Sequence, residues 1–136
     1  VVRAHTASRV RGQALTGSGV AGSLAERLPV LHIVGAPSTA LQANKSLLHH
    51  TLNTESSFNT FNKMSEPLSC SQAILSSIKP TETSWTDAFD DVVKNVLEQC
   101  RPGYVEIPTD AVHYKVSTKN LEKELVRLTN ILCGKS

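Results

Sequence analysis

A stripe of apolar residues between Trp85 and Cys100 leads directly into a short β-rich run, and that junction narrows the possible folds more than any other part of the chain. Trp85, Ala88, Phe89, Val92, Val93, Val96, Leu97 and Cys100 recur three and four residues apart, which places them on one face of a helix. Ser84, with Asp87 three residues on, is positioned to cap the first turn. Asp90 and Lys94 stand four apart on the outer face, and Arg101-Pro102-Gly103 ends the pattern. GYVEIP, Gly103 to Pro108, follows at once and reads as a core strand.

The same order occurs earlier. Val20 to Arg27 (VAGSLAER) is built of small residues and helix formers, and Leu28 to Gly35 (LPVLHIVG) is an apolar, β-branched run that suits a strand buried on both faces. Two helix-strand units separated by polar loops predict an α/β fold, a doubly wound and mainly parallel sheet flanked by helices, with ligands expected beyond the carboxyl ends of its strands. The segments from Gly35 to His50 and from Pro108 to His113 follow those ends. Between the units, Ala40 to Leu48 reads as a short helix within a polar stretch, and Phe58, Phe61 and Met64 are spaced for one side of another short helix before Pro67. Leu121, Leu125, Leu128 and Leu132 give the tail the pattern of a surface helix.

The chain has 136 residues, 40% hydrophobic and 19% charged. That suits one domain with one core and argues against disorder. A formal charge of +2 without a basic cluster after residue 11 excludes a nucleic-acid or anionic-membrane footprint, and no apolar run approaches the ~20 residues of a membrane helix. Neither a disulfide framework nor a CxxC metal site can be read from Cys70, Cys100 and Cys133, so a reducing, cytoplasmic setting is expected. Val1 to Gly19 holds Arg3, Arg9 and Arg11 and no acid, the composition of a mitochondrial transit peptide, although a start on Val fits an incomplete coding sequence more simply. The first thirteen residues are expected to stand outside the fold.

Chemistry is sparse in this sequence. His49-His50 is the most suggestive pair, because imidazole titrates near neutrality and can move protons. An adjacent pair in a loop is more commonly solvated surface, and adjacent histidines rarely converge on one ion, so no metal site is expected. His32 and His113 read as structural. Ser23 lacks a GxSxG frame, and neither GxxxxGKS nor GxGxxG occurs.

The string from Val20 to Thr51, VAGSLAERLPVLHIVGAPSTALQANKSLLHHT, resembles the amino-terminal, pyrimidine-binding domain of fungal-type pyruvate decarboxylases, members of the thiamine-diphosphate-dependent 2-oxo acid decarboxylase family. The distinctive parts are Ala21, Gly22, Ser23, Ala25 and Glu26 leading into the strand, LPVLHIVGAPS, and LLHHTL from Leu47 to Leu52. Phe58, Phe61, Lys63 and Met64, and RPGYVEIPTDAVH from Arg101 to His113, extend the likeness over residues 19–118. Residues 1–18 and 119–136 depart from it.

That resemblance implies an incomplete thiamine-diphosphate-binding fold, with thiamine diphosphate and magnesium as cofactors and a 2-oxo acid as substrate. It also implies a homo-oligomer in which the cofactor lies between subunits. His49 and His50 would be catalytic, assisting proton transfers during decarboxylation and aldehyde release, while Leu47, Leu48 and Leu52 pack the base of their loop. The glutamate that holds the pyrimidine in that family, and the strand preceding the first helix, have no match here, and no diphosphate-binding GDG motif occurs. The chain alone is therefore expected to be inactive. A relative acting on indolepyruvate or phenylpyruvate, and a non-catalytic remnant that pairs with an intact subunit, are the alternatives.

Overall fold

A computed structural model describes residues 3–7, 10–48, 58–79, 81 and 83–122. Strand β1 (Arg3–Ala7), helix α1 (Val10–Ala25), β2 (Val30–Ala36), α2 (Thr39–Ala43), α3 (Thr60–Ser65), β3 (Gln72–Ile74), α4 (Ser84–Gln99) and β4 (Gly103–Pro108) follow in chain order. The strands form one sheet in the order β1-β2-β4-β3, and every pairing is parallel. The step from β1 to β2 crosses the sheet one way and the step from β3 to β4 the other. Right-handed crossovers therefore put α1 and α4 on opposite faces, and α3 packs beside α1. The expected doubly wound α/β architecture is what the chain adopts.

Alternation along the strands sorts the side chains. Leu31, Ile33, Ala73, Val105 and Ile107 join Leu75, Trp85, Val92 and Val96 in an apolar core beneath α4. The intervening residues face the other way, where Val34, Tyr104 and Ile74 pack together and Val20 of α1 is buried. Gly103 is required where α4 crosses β4, since a Cβ there would lie 2.3 Å from Val96 Cγ2 and 2.8 Å from Val92 Cγ1. Cys100 ends α4 in the left-handed region at φ 49°, and Pro102 cannot continue a helix. The stripe from Trp85 to Cys100 and the strand GYVEIP thus stand where the sequence places them.

Several expectations are corrected. The helix expected from Val20 begins at Val10, and a strand, β1, precedes it within the segment placed outside the fold. Glycines at 12, 17, 19 and 22 mask this helix, each costing roughly 1 kcal/mol against Ala. Backbone pairing of Arg3 with Val30 through Ala7 with Val34 needs no side-chain pattern. The α1 terminus is a Schellman turn, in which Leu28 N donates to Ser23 O at 2.9 Å and Arg27 N to Leu24 O at 3.2 Å. Ser84 is the first residue of α4 and not its cap. Its Oγ accepts from Thr81 N and donates to Lys79 O, both at 2.9 Å.

On α3, Phe61 is buried, but Met64 is 54% exposed and does not share its burial. Only a 3-10 turn, Lys119–Glu122, begins the expected tail helix, and residues 123–136 lie outside the described residues. No described helix is long and apolar enough to cross a membrane.

Candidate functional site

Strands β2 and β4 are neighbours with Ala36 opposite Pro108, so the loops that leave them start side by side at the carboxyl edge of the sheet. After β2, Pro37 and Ser38 turn the chain into α2, and Ser38 Oγ accepts from Leu41 N at 3.4 Å. After β4 comes a 3-10 turn, Thr109–His113. Asp110 on that turn accepts the Thr39 amide through both carboxylate oxygens, at 3.2 and 3.1 Å, and accepts the Thr39 hydroxyl as well. Both donors favour the charged carboxylate. The hydroxyl bond, the amide and the nearby His113 hold Asp110 below the usual range of its acid.

Two strand residues inside this edge lies a second carboxylate. Glu106 is 5% exposed. Its Oε1 accepts from Ser76 Oγ at 3.1 Å and its Oε2 from Tyr104 Oη at 3.4 Å, and the Asn62 side chain also bonds to it. Burial pushes Glu106 upward, while these hydrogen bonds pull the other way and only partly offset it. Gln72 Nε2 donates to Asn62 O at 3.3 Å and to Ser69 Oγ at 3.0 Å, tying α3 to β3. His32, on the same face, meets the Tyr104 ring edge-on at 5.6 Å and is 2% exposed, in keeping with a structural role. His113 is exposed.

His49, His50 and Leu52 lie outside the described residues. Leu48, immediately before the pair, is half-buried. Leu47 is 75% exposed, which corrects its expected place in the base of the loop. An open cleft of about 520 Å³ runs between β3 and α4, lined among others by Gln72, Ile74, Asp91 and Asn95. Neither Asp110 nor Glu106 borders it, so it is separate from the edge where the two loops meet.

Among the described residues no three His, Cys, Asp or Glu side chains converge as metal ligands. The buried carboxylate of Glu106 is engaged by Ser76, Tyr104 and Asn62. The described residues therefore do not fit magnesium. Sequence reasoning missed Thr39, Asp110, Glu106, Ser76 and Asn62. The available signal was an acid, Glu106, inside a run otherwise suited to burial on both faces.

No family model matches the chain. Individual relatives do. A Schizosaccharomyces pombe protein named as a pyruvate decarboxylase is 39% identical over 108 residues, 79% of this chain and 18% of the relative. An alpha-keto-acid decarboxylase of Mycobacterium avium is 36% identical over 118 residues, 87% and 20% of the two chains. Pyruvate decarboxylase isozyme 3 of Saccharomyces cerevisiae is 35% identical over 108 residues, 79% and 18%. The chain spans about a fifth of the length of these relatives. Over about four fifths of its own length it is homologous to the pyruvate and 2-oxo acid decarboxylases of fungi and bacteria.

Proposed function

We propose that this chain is part of the amino-terminal, pyrimidine-side domain of a 2-oxo acid decarboxylase, and that the complete enzyme converts pyruvate to acetaldehyde and carbon dioxide. The complete enzyme would use thiamine diphosphate and magnesium, act as a homo-oligomer and reside in the cytoplasm. His49 and His50 are the residues of this chain assigned to chemistry, holding and releasing protons close to neutral pH. The observation that carries the reading is the pairing of β2 with β4, fastened by the Thr39–Asp110 bonds. It brings the loop leading toward LLHHTL to the carboxyl edge of a parallel sheet, where such folds place ligands. Homology to named decarboxylases supports the activity class.

The test has two arms. The 136-residue chain, given pyruvate, thiamine diphosphate and magnesium, is expected to release no acetaldehyde. In the full-length protein, His49→Ala or His50→Ala is expected to lower turnover by about 10²-fold or more, the usual scale of lost proton transfer. Turnover by the short chain, or full activity in both variants, would overturn the assignment.

The bacterial relatives are named for alpha-keto acids at large, a class that includes indolepyruvate and phenylpyruvate as well as pyruvate, and action on one of these larger acids is the second reading. A ratio of kcat/KM for phenylpyruvate over pyruvate above one would select it.

A further inference from the structure

The cleft between β3 and α4 lies apart from the carboxyl edge that the proposed function uses, and one of its walls is main chain. Strand β3 ends the sheet, paired among the described strands with β4 alone. Tyr104 N donates to Ser71 O at 3.0 Å. In a parallel ladder the N–H and C=O of Ser71 and Ala73 therefore turn toward β4, and those of Gln72 and Ile74 turn outward. The side chains of these two residues are engaged on the α3 face, where Gln72 Nε2 donates to Asn62 O and Ile74 packs with Tyr104. What Gln72 and Ile74 give to the cleft is their backbone. The opposite wall is the flank of α4, with Ala88, Asp91, Val92 and Asn95. Asp91 is exposed, and among the described lining residues it is the one that carries a charge. The helix as a whole is acidic, with Asp87, Asp90, Asp91 and Glu98 against Lys94.

We propose that this edge is a docking site for an extended, basic peptide segment of another protein, which adds to β3 as a further strand alongside the flank of α4. The outward groups of Gln72 and Ile74 stand two residues apart, roughly 6.6 Å. That is the repeat at which every second residue of an extended peptide offers its own N–H and C=O. Side chains of the added strand then alternate between two surroundings. One set turns to α4, where Asp91 attracts positive charge and Asn95 offers hydrogen bonds. The other turns to the α3 face beside Ile74, where an apolar group fits. Because β3 is only three residues long, few main-chain bonds can form, and the acidic flank supplies steering and the choice of a basic partner. A second copy of this chain is the poorer occupant. Antiparallel pairing of two β3 edges about a two-fold axis would set two acidic α4 helices side by side on one face, like charge against like.

The probe is a capped pentapeptide alternating lysine and valine, added to the 136-residue chain, with amide exchange and affinity both read by NMR. With free peptide at about ten times its Kd, exchange of the Gln72 and Ile74 amides is expected to slow by about tenfold, while that of Ala73, already in the ladder with β4, changes little. N-methylation of one alternate set of peptide residues is expected to weaken binding by about tenfold, the scale of a lost hydrogen bond that leaves its partner unsatisfied. Methylation of the other set should leave it unchanged. Replacing the lysines by glutamate is expected to weaken binding by about fivefold or more, and Asp91→Asn to weaken the lysine peptide by about two- to fivefold. Equal loss from methylating either set, equal affinity for the glutamate peptide, or protection centred on residues other than Gln72 and Ile74 would overturn the proposal. So would protection of these two amides that rises with protein concentration in the absence of peptide, which is self-association. None of these readouts depends on decarboxylase activity, so the docking site and the proposed function fail separately.

Discussion

The two faces of the sheet are built from the same strands and solve different problems. Beneath α4, alternate residues of β2, β3 and β4 meet Trp85, Val92 and Val96 in an apolar core. On the opposite face the same strands present His32, Tyr104 and Glu106, and helix α3 answers with Asn62. The α4 face depends on shape, because close-packed apolar groups lose contacts with every missing or added methylene. The α3 face depends on hydrogen bonding as well as shape, because a buried carboxylate has to be matched by Ser76, Tyr104 and Asn62. One strand, β4, carries both demands, with Val105 and Ile107 turned one way and Tyr104 and Glu106 the other.

Substitutions can break this contrast, and the largest effect belongs to the apolar face. Trp85→Ala removes a ring that packs in the core, meets Tyr114 edge-on at 5.0 Å and donates to Ile78 O at 3.1 Å. A loss of about 3–5 kcal/mol in urea unfolding is expected at any pH between 5 and 8. Gly103→Ala drives a methyl into Val96 and Val92 and is expected to cost about 1–3 kcal/mol by overpacking, again without pH dependence.

On the polar face, Ser76→Ala deletes one donor to Glu106 and is expected to cost about 0.5–1.5 kcal/mol. That donor lowers the carboxyl's proton affinity, so its removal should move the titration of the Glu106 carboxyl upward, which the carboxyl carbon resonance would report. The smallest effect is expected from Asp110→Ala, at the carboxyl edge between the two loops. Its signature is local: faster exchange of the Thr39 amide, with the global midpoint little changed. Because the folded carboxyl sits below its ordinary 3.8, the bond contributes above that value and is lost as pH falls through the depressed one. Wild type and variant should therefore exchange alike in strong acid.

How much of this the sequence discloses follows from where each signal resides. Helix α4 and strand β4 are legible because the apolar period, the Arg101-Pro102-Gly103 stop and the β-rich run are contiguous. Strand β2 is legible to within two residues for the same reason. Strand β3 is not, since Gln72–Ile74 is only three residues long and no periodicity can show in it. The glycines of α1 and the basic composition before it conceal the start of the fold, which is set by backbone pairing to β2. Met64 obeys helical spacing and still faces solvent, because spacing names a side of a helix without saying what covers it.

The candidate site is legible only in part. His49 and His50 stand out as a pair in the sequence. Thr39 and Asp110 are 71 residues apart, and Ser76 and Glu106 are 30 apart. Contacts of that range leave no local pattern, and the acid within GYVEIP is the one visible trace of them.

The placement of β4 has a consequence for synthesis. Of the described strands, the last to leave the ribosome is inserted between β2 and β3, so among them β3 has no strand to pair with, and α4 no Val105 to cover, until residue 108 has emerged. Among the described elements, the β1–β2 pair with α1 and α3 can assemble earlier, while α4 waits with its apolar face uncovered, an interval in which aggregation competes with folding.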